Sequence, residues 1–456
     1  MQKGKNMISS NTHRLTNGHI ASTLLKFALP YLASNFLMAF YGAADVFIVS
    51  YFADPSVLAA TATGAQAIFM MMALAIGLGL GGTILIGQYF GAKQETDVLE
   101  TIKTLLTLFM GTAIICASFM LIFAQEIAEL LKTPPESLNK AAQYIAICGG
   151  GLVFTFAFEA ISAILRALGD SQNPMKFIAI ACSLNIVLDL LFIGYFKWEA
   201  AGAAIATVMA QACSVIIAIL YLKRQKFIFN FSIKNIDFYP QKAKKILHLG
   251  IPTAIQQSII FGSFTFMVAI VNKMGVIAAA AVGITTKIDS FMIMPAMAFA
   301  SAVSVMVAQN IGANQIQRAK ETFYTGFLMS LCFGVPAFIT MYTNAEWVMN
   351  LFTNNANIIQ RGSEFIVAYS PDCILLCLVF CINGFMNGCG RTTFTMINNV
   401  SSTLFVRIPL IYIATSLFAV GLALPIATAP QITFALIYFY SGKWKKSIIN
   451  NRRKLS

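Results

Sequence analysis

The chain has 456 residues, 58% of them hydrophobic and 11% charged, with a mean hydropathy of +0.75. A soluble domain is nearer half apolar and a quarter charged, so this composition excludes a water-soluble fold and makes lipid the solvent. The net charge of +13 would point to nucleic acid in a soluble protein; here its placement, set out below, gives it another meaning, and no nucleic-acid partner is expected.

A span needs roughly 20 apolar residues to cross about 30 Å of hydrocarbon. Twelve such stretches follow in chain order, near 24–52, 57–90, 99–124, 137–167, 174–197, 200–222, 245–272, 277–310, 318–343, 359–390, 393–418 and 420–441. They exceed the ~10-residue strands of a membrane barrel, and helices satisfy their backbone polar groups internally, as lipid requires. The expected fold class is an all-α integral membrane protein. The first 20 residues are polar and the first apolar run is long enough to span, so no cleavable signal peptide is expected.

With the N-terminus inside, the inner segments hold 24 Lys and Arg residues, including seven between Lys223 and Lys245 and six between Lys443 and Lys454. The outer segments hold five: Lys132, Lys140, Lys197, Lys273 and Arg361. This bias predicts cytoplasmic termini in a bacterial-type cell membrane. The nine cysteines lie within or close to apolar segments, with no CxxC pair; they read as small buried residues.

The chain repeats itself. IGQYFGAKQ at 86–94 matches VAQNIGANQ at 307–315, so that Gly91 falls on Gly312 at an offset of 221. At the same offset Gly169 meets Gly390, and Pro30 in FALPYL meets Pro252 in LGIPTA at 222. Two six-span halves of like topology follow, related by a pseudo-two-fold axis along the membrane normal. The expected division is a lobe at 1–222, a cytoplasmic linker at 223–244 and a lobe at 245–456. FIFNFSIKNIDF in the linker reads equally as a surface-lying amphipathic piece or as plain linker.

Each ionisable group in a span costs about 2.5–3.5 kcal/mol on the gentler insertion scales and needs a reason. The first half has Asp45, Glu159 and Asp189, with no base well inside a span; the second has Lys287, Asp289, Asp372 and Arg407. Asp45, Asp189 and Thr207 fall at one depth, roughly 11 Å below the outer surface at 1.5 Å per residue. Asn185 precedes Asp189 by four residues and shares its face. These are hard oxygen ligands that can hold Na⁺ or share a proton; the bland alternative is a packing network with one acid protonated. Glu159, nearer the inner end, fits a proton path or a local pair. The second-half charges read as cross-helix ion pairs or as a second coupling site.

GLGLGG at 77–82 lies inside an apolar run and lacks the Lys-Ser/Thr of a phosphate cradle, so it reads as close helix packing. No ATPase domain is evident, so any transport must run on a gradient. Pro30, fifteen residues before Asp45, permits a kink. The plentiful Met and Phe include candidates for an adaptable cavity for flat cations.

FALPYL…AADVFIVSYF, IGQYFGAKQ, ILRALGDSQNPM, NIVLDLLFIGYF…AAGAAIAT and VAQNIGANQ together resemble the multidrug and toxic compound extrusion (MATE) family, and within it the DinF-like branch, over about residues 20–442. The resemblance implies a V-shaped pair of six-helix lobes with a central cleft. It also implies export of cationic amphipathic drugs in exchange for H⁺ or Na⁺, with no cofactor. It puts the cation site on Asp45, Asn185, Asp189 and Thr207 and the helix kink on Pro30. The expected partners are lipid and small organic cations, and the chain is expected to act as a monomer. Two departures stand out. IPTAIQQSIIFGSF lacks the glutamate that a Na⁺-coupled branch carries in span 7, and Glu159 stands where many relatives have asparagine. A flippase for lipid-linked sugars would need a basic cavity, whereas this first lobe is acidic. A membrane-embedded enzyme is disfavoured because His13, His19 and His248 all sit at or outside span ends.

Overall fold

The structure, a computed structural model, describes residues 15–225 and 237–445; most of the amphipathic linker piece, residues 227–236, lies outside the described residues. Every described element is helical. Among the described residues ten helices are long and apolar enough to cross a membrane, and up to twelve spans result if each of two bent pairs counts as one. The all-α, multi-span expectation holds.

The chain forms two compact units. One contains Ala33–Ala254; the other joins Leu15–Leu32 to the chain from Ile255 onward. The units thus exchange the first parts of two helices, α1 (Ile20–Phe52) and the helix Pro240–Lys273. Both helices run unbroken through a proline, Pro30 and Pro252.

In the first unit, α2 (Pro55–Gly91) is central and packs on α3 (Glu95–Ile122), α5 (Pro135–Gly150) and α6 (Leu152–Ala167). A short α4 (Ala124–Leu130) links α3 to α5. The pair α5–α6 bends by 44° at Gly151. α7 (Gln172–Asp189) continues into a π-helical turn, Leu190–Tyr195, and packs against α8 (Glu199–Arg224). Between apolar helices in lipid, association relies on close packing and cross-helix hydrogen bonds. Both are present: Thr83 donates to Ala163 O at 3.1 Å and Ser214 to Phe177 O at 3.0 Å. The GLGLGG run serves the first purpose, since a Cβ at Gly81 would stand 2.5 Å from Ile246 O and one at Gly77 2.6 Å from Gly250 O. The helix Pro240–Lys273, named α9, lies backbone to backbone on α2 there.

In the second unit, α10 (Val276–Gly312) is central, against α11 (Ile316–Thr343), α13 (Ala356–Tyr369) and α14 (Asp372–Gly388), with a short α12 (Ala345–Asn350) between. The pair α13–α14 bends by 46° at Ser370–Pro371, where proline removes a helical donor. α15 (Thr392–Ser402), a π segment Thr403–Arg407 and α16 (Ile408–Ile413) make the next span; α17 (Leu417–Tyr440) closes the unit. Ser416 caps α17, accepting from Ala419 N at 3.2 Å. Phe299, Phe323, Phe385 and Trp444 fill the core with Leu24 and Phe27 of α1.

The repeat is visible in the backbone. Lys93 and Asn314 carry φ of 60° and 65°, and Gly169 and Gly390 carry φ of 90° and 77°, each pair at the offset of 221. A left-handed residue ends the helix at the same place in each half, and glycine adopts it without a Cβ penalty.

Candidate functional site

The first unit brings Asp45, Asn185, Asp189 and Thr207 together. Asp189 is the last α-helical residue of α7, and the π turn begins directly after it; such insertions concentrate at functional sites. Asn185 and Asp189 are fully buried. With its amide turned so that nitrogen faces the carboxyl, Asn185 donates to Asp189 Oδ2 at 2.7 Å and accepts from the Thr207 backbone N–H at 3.3 Å. Thr207 Oγ1 meets Tyr41 Oη at 3.2 Å. Asp45 and Asp189 lie within hydrogen-bonding reach of each other, while Asp45 Oδ1 and Asp189 Oδ1 are buried with no donor. A shared proton or a small cation is what can satisfy two neighbouring carboxyls that each have one buried oxygen without a donor. The carboxyl oxygens and the Thr207 and Tyr41 hydroxyls supply the hard donors such an ion takes.

Tyr41 escaped the sequence reading, although it stands four residues before Asp45 and so on the same face. Gln211, four residues after Thr207, is a second omission. Both line a cavity of about 60 Å³ in this unit, with Met38, Met72, Phe158, Glu159, Asn185 and Thr207. A water needs roughly 10–15 Å³ by this measure, so the cavity has room for a few waters, whereas drug-sized ligands fill about 300–1,000 Å³. Glu159 lines the cavity and also pairs with Arg166 at 3.3 Å, two turns on along α6.

The second unit is arranged differently. Tyr369 donates its hydroxyl to Asp289. Asp372, 4% exposed, opens α14 immediately after the bend, and its Oδ1 has no partner. Arg407 ends the π segment and stacks its guanidinium on the Phe264 ring at 4.2 Å. Among the described residues, none of Lys287, Asp289, Asp372 and Arg407 has an oppositely charged group within 4.0 Å. The expected direct ion pairs are replaced by a phenol on one acid and an aromatic face under the arginine. Lys287 is exposed, consistent with its two-residue offset from Asp289. Among the described residues no three His, Cys, Asp or Glu side chains converge as a metal site.

The MatE family model matches the chain twice, over residues 30–191 and 252–413, two stretches displaced by 222. Among its relatives is the probable multidrug resistance protein YpnP of Bacillus subtilis, 26% identical over 437 residues, covering 94% of this chain and 97% of YpnP. The probable multidrug resistance protein NorM of Thermotoga maritima is 24% identical, covering 96% of each chain. A solved structure described as the outward-facing conformation of a multidrug resistance MATE family transporter has the same fold, with a TM-score of 0.87 at 19% identity, covering 97% of this chain and 98% of that one. The two matches of the family model take in well over half of the residues, and the chain is a multi-pass membrane protein of the MatE family of transporters, not an enzyme.

Proposed function

We propose that this protein is a secondary active antiporter that exports cationic amphipathic compounds in exchange for H⁺ or Na⁺. The observation that carries the reading is the facing pair Asp45 and Asp189, with its donorless buried oxygens. One monovalent ion bound there cuts the pair's charge from two to one and bridges the two carboxyls, and its loss restores two like charges that cannot both remain buried unpaired. The names of YpnP and NorM as multidrug resistance proteins support the substrate class. So does the cavity, where methionines and aromatics surround one acid. Asn185 and Thr207 belong to both the carboxyl cluster and the cavity wall, so ion and substrate occupancy act on the same two side chains. The cavity must widen to admit a drug-sized molecule.

Several finer readings go with this. The Lys and Arg bias supports cytoplasmic termini. Concentration of the uncompensated acids in the first half supports placement with the DinF-like branch. Glu159 serves as a proton path between the cavity and the inner end, with Arg166 holding its carboxylate. Pro30 gives α1 the freedom to bend when the state of Asp45 changes. The two halves act as lobes joined by the linker at 223–244.

In a pump-deficient bacterium, expression should lower accumulation of ethidium, and Asp189→Asn should abolish the effect at equal membrane abundance. Unchanged accumulation on expression of the wild-type protein would count against the exporter reading.

A further inference from the structure

α1 and α9 each begin in one unit and end in the other. The hand-over falls between Leu32 and Ala33 and between Ala254 and Ile255, in each case two residues after the helix's proline. The leading end of each helix is fastened to the unit that receives it. In the second unit, Arg318 donates to three backbone carbonyls ahead of α1: Gly18 at 2.9 Å, Asn17 at 3.0 Å and Leu15 at 3.5 Å. The Leu15 N–H donates to Oε1 of the fully buried Gln309 at 3.0 Å. In the first unit, Lys242 pairs with Asp97 and, at 3.5 Å, with Glu100, and lies 4.1 Å from the centre of the Tyr89 ring. Lys103 pairs with Asp237 at 2.5 Å, and Lys245 donates to Tyr89 Oη at 3.1 Å.

The two fastenings occupy the same place in the repeat. Asp97 and Arg318 are 221 residues apart, the offset that relates Gly91 to Gly312. Their chemistry is not copied: one anchor is an acid that holds a lysine, the other an arginine that holds carbonyls. What the two halves share is the fastening itself. Packing alone already secures both segments, since Leu24, Phe27 and Ala28 are buried in one unit and Ile246 in the other. Lys242, with its side chain 8% exposed, adds little to this, because a buried ion pair must repay desolvation and an apolar residue would hold as well. A polar anchor differs from an apolar one in being able to exchange its partners for water.

We propose that Arg318 with Leu15–Gly18, and Lys242 with Asp97 and Glu100, are paired latches that position the first helix of each half and open together. They are positioning residues, outside both the carboxyl cluster and the cavity lining. The proposal rests on the transporter reading only in giving the opening a purpose; its test needs no substrate.

The test is amide hydrogen exchange on the full-length protein in lipid nanodiscs, comparing wild type with Arg318→Ala and Lys242→Ala. Joint latches predict that Arg318→Ala raises exchange several-fold at residues 15–25 and also at 239–250, in the other unit. Lys242→Ala should do the converse, with α6 and α14 staying protected. The paired exchange Lys242→Asp with Asp97→Lys should return both regions toward wild type. A rise confined to the mutated latch would overturn the proposal. Should Arg318→Ala fold poorly, Arg318→Lys, which cannot span three carbonyls, gives the same reading. Loss of protection in α6 and α14 as well would mark a plain stability defect and would equally count against it.

Discussion

Asn185 donates to Asp189 Oδ2 at 2.7 Å across one turn of α7, while the same amide accepts from the Thr207 backbone on α8. One side chain thus orients a carboxyl and ties two helices. Asn185→Leu removes the donor and leaves a buried carboxyl unsatisfied, at a cost of about 1–3 kcal/mol. The variant should show a lower thermal midpoint in detergent and strongly reduced dye efflux. Asn185→Asp, which places a third acid in the cluster, should lose efflux as well.

The glycine contacts of α2 with α9 predict a contrast between two substitutions of the same kind. Gly81→Ala puts a Cβ 2.5 Å from Ile246 O, which is backbone and cannot swing aside. Overpacking of this sort costs about 1–3 kcal/mol. Gly262→Ala meets nothing within 4 Å and should be neutral. Thermal unfolding of the two variants side by side checks the pair.

In the second unit the phenol of Tyr369 is the partner of Asp289. Tyr369→Phe leaves that half-buried acid without its donor and should lower stability by about 0.5–1.5 kcal/mol. If coupling resides in the first unit, efflux measured at a temperature where the variant is folded should continue with the same driving ion. A change of driving ion in Tyr369→Phe would move the coupling site to this unit.

Glu159 both lines the cavity and pairs with Arg166 at 3.3 Å. Glu159→Gln preserves shape and removes the exchangeable charge. As a proton path it predicts slower proton-driven efflux with an unchanged dye concentration for half-maximal rate. An unaltered rate would leave Glu159 as a local partner of Arg166.

Much of this was legible in the sequence, for physical reasons. The spans declare themselves because lipid demands about 20 apolar residues in a row, and the repeat because turn residues such as Gly169 and Gly390 need left-handed backbone. Asp45, Asn185 and Asp189 stood out because ionisable and amide groups are costly in lipid, and Thr207 because it falls at the same depth. Tyr41 and Gln211 did not, since Tyr and Gln at one-turn spacing are common in spans without function. The π turn after Asp189 has no periodic signature. The pairing of Tyr369 with Asp289, and the exchange of the first parts of α1 and α9 between the units, depend on tertiary placement that hydropathy does not encode.

The central claim is that Asp45 and Asp189 couple an ion gradient to export. Purified protein in liposomes loaded with ethidium, with either a pH gradient or a Na⁺ gradient imposed, tests it most directly. One of the two gradients should drive dye movement in the wild type, and Asp45→Asn and Asp189→Asn should each abolish the driven component. Full gradient-driven transport in both variants would contradict the account.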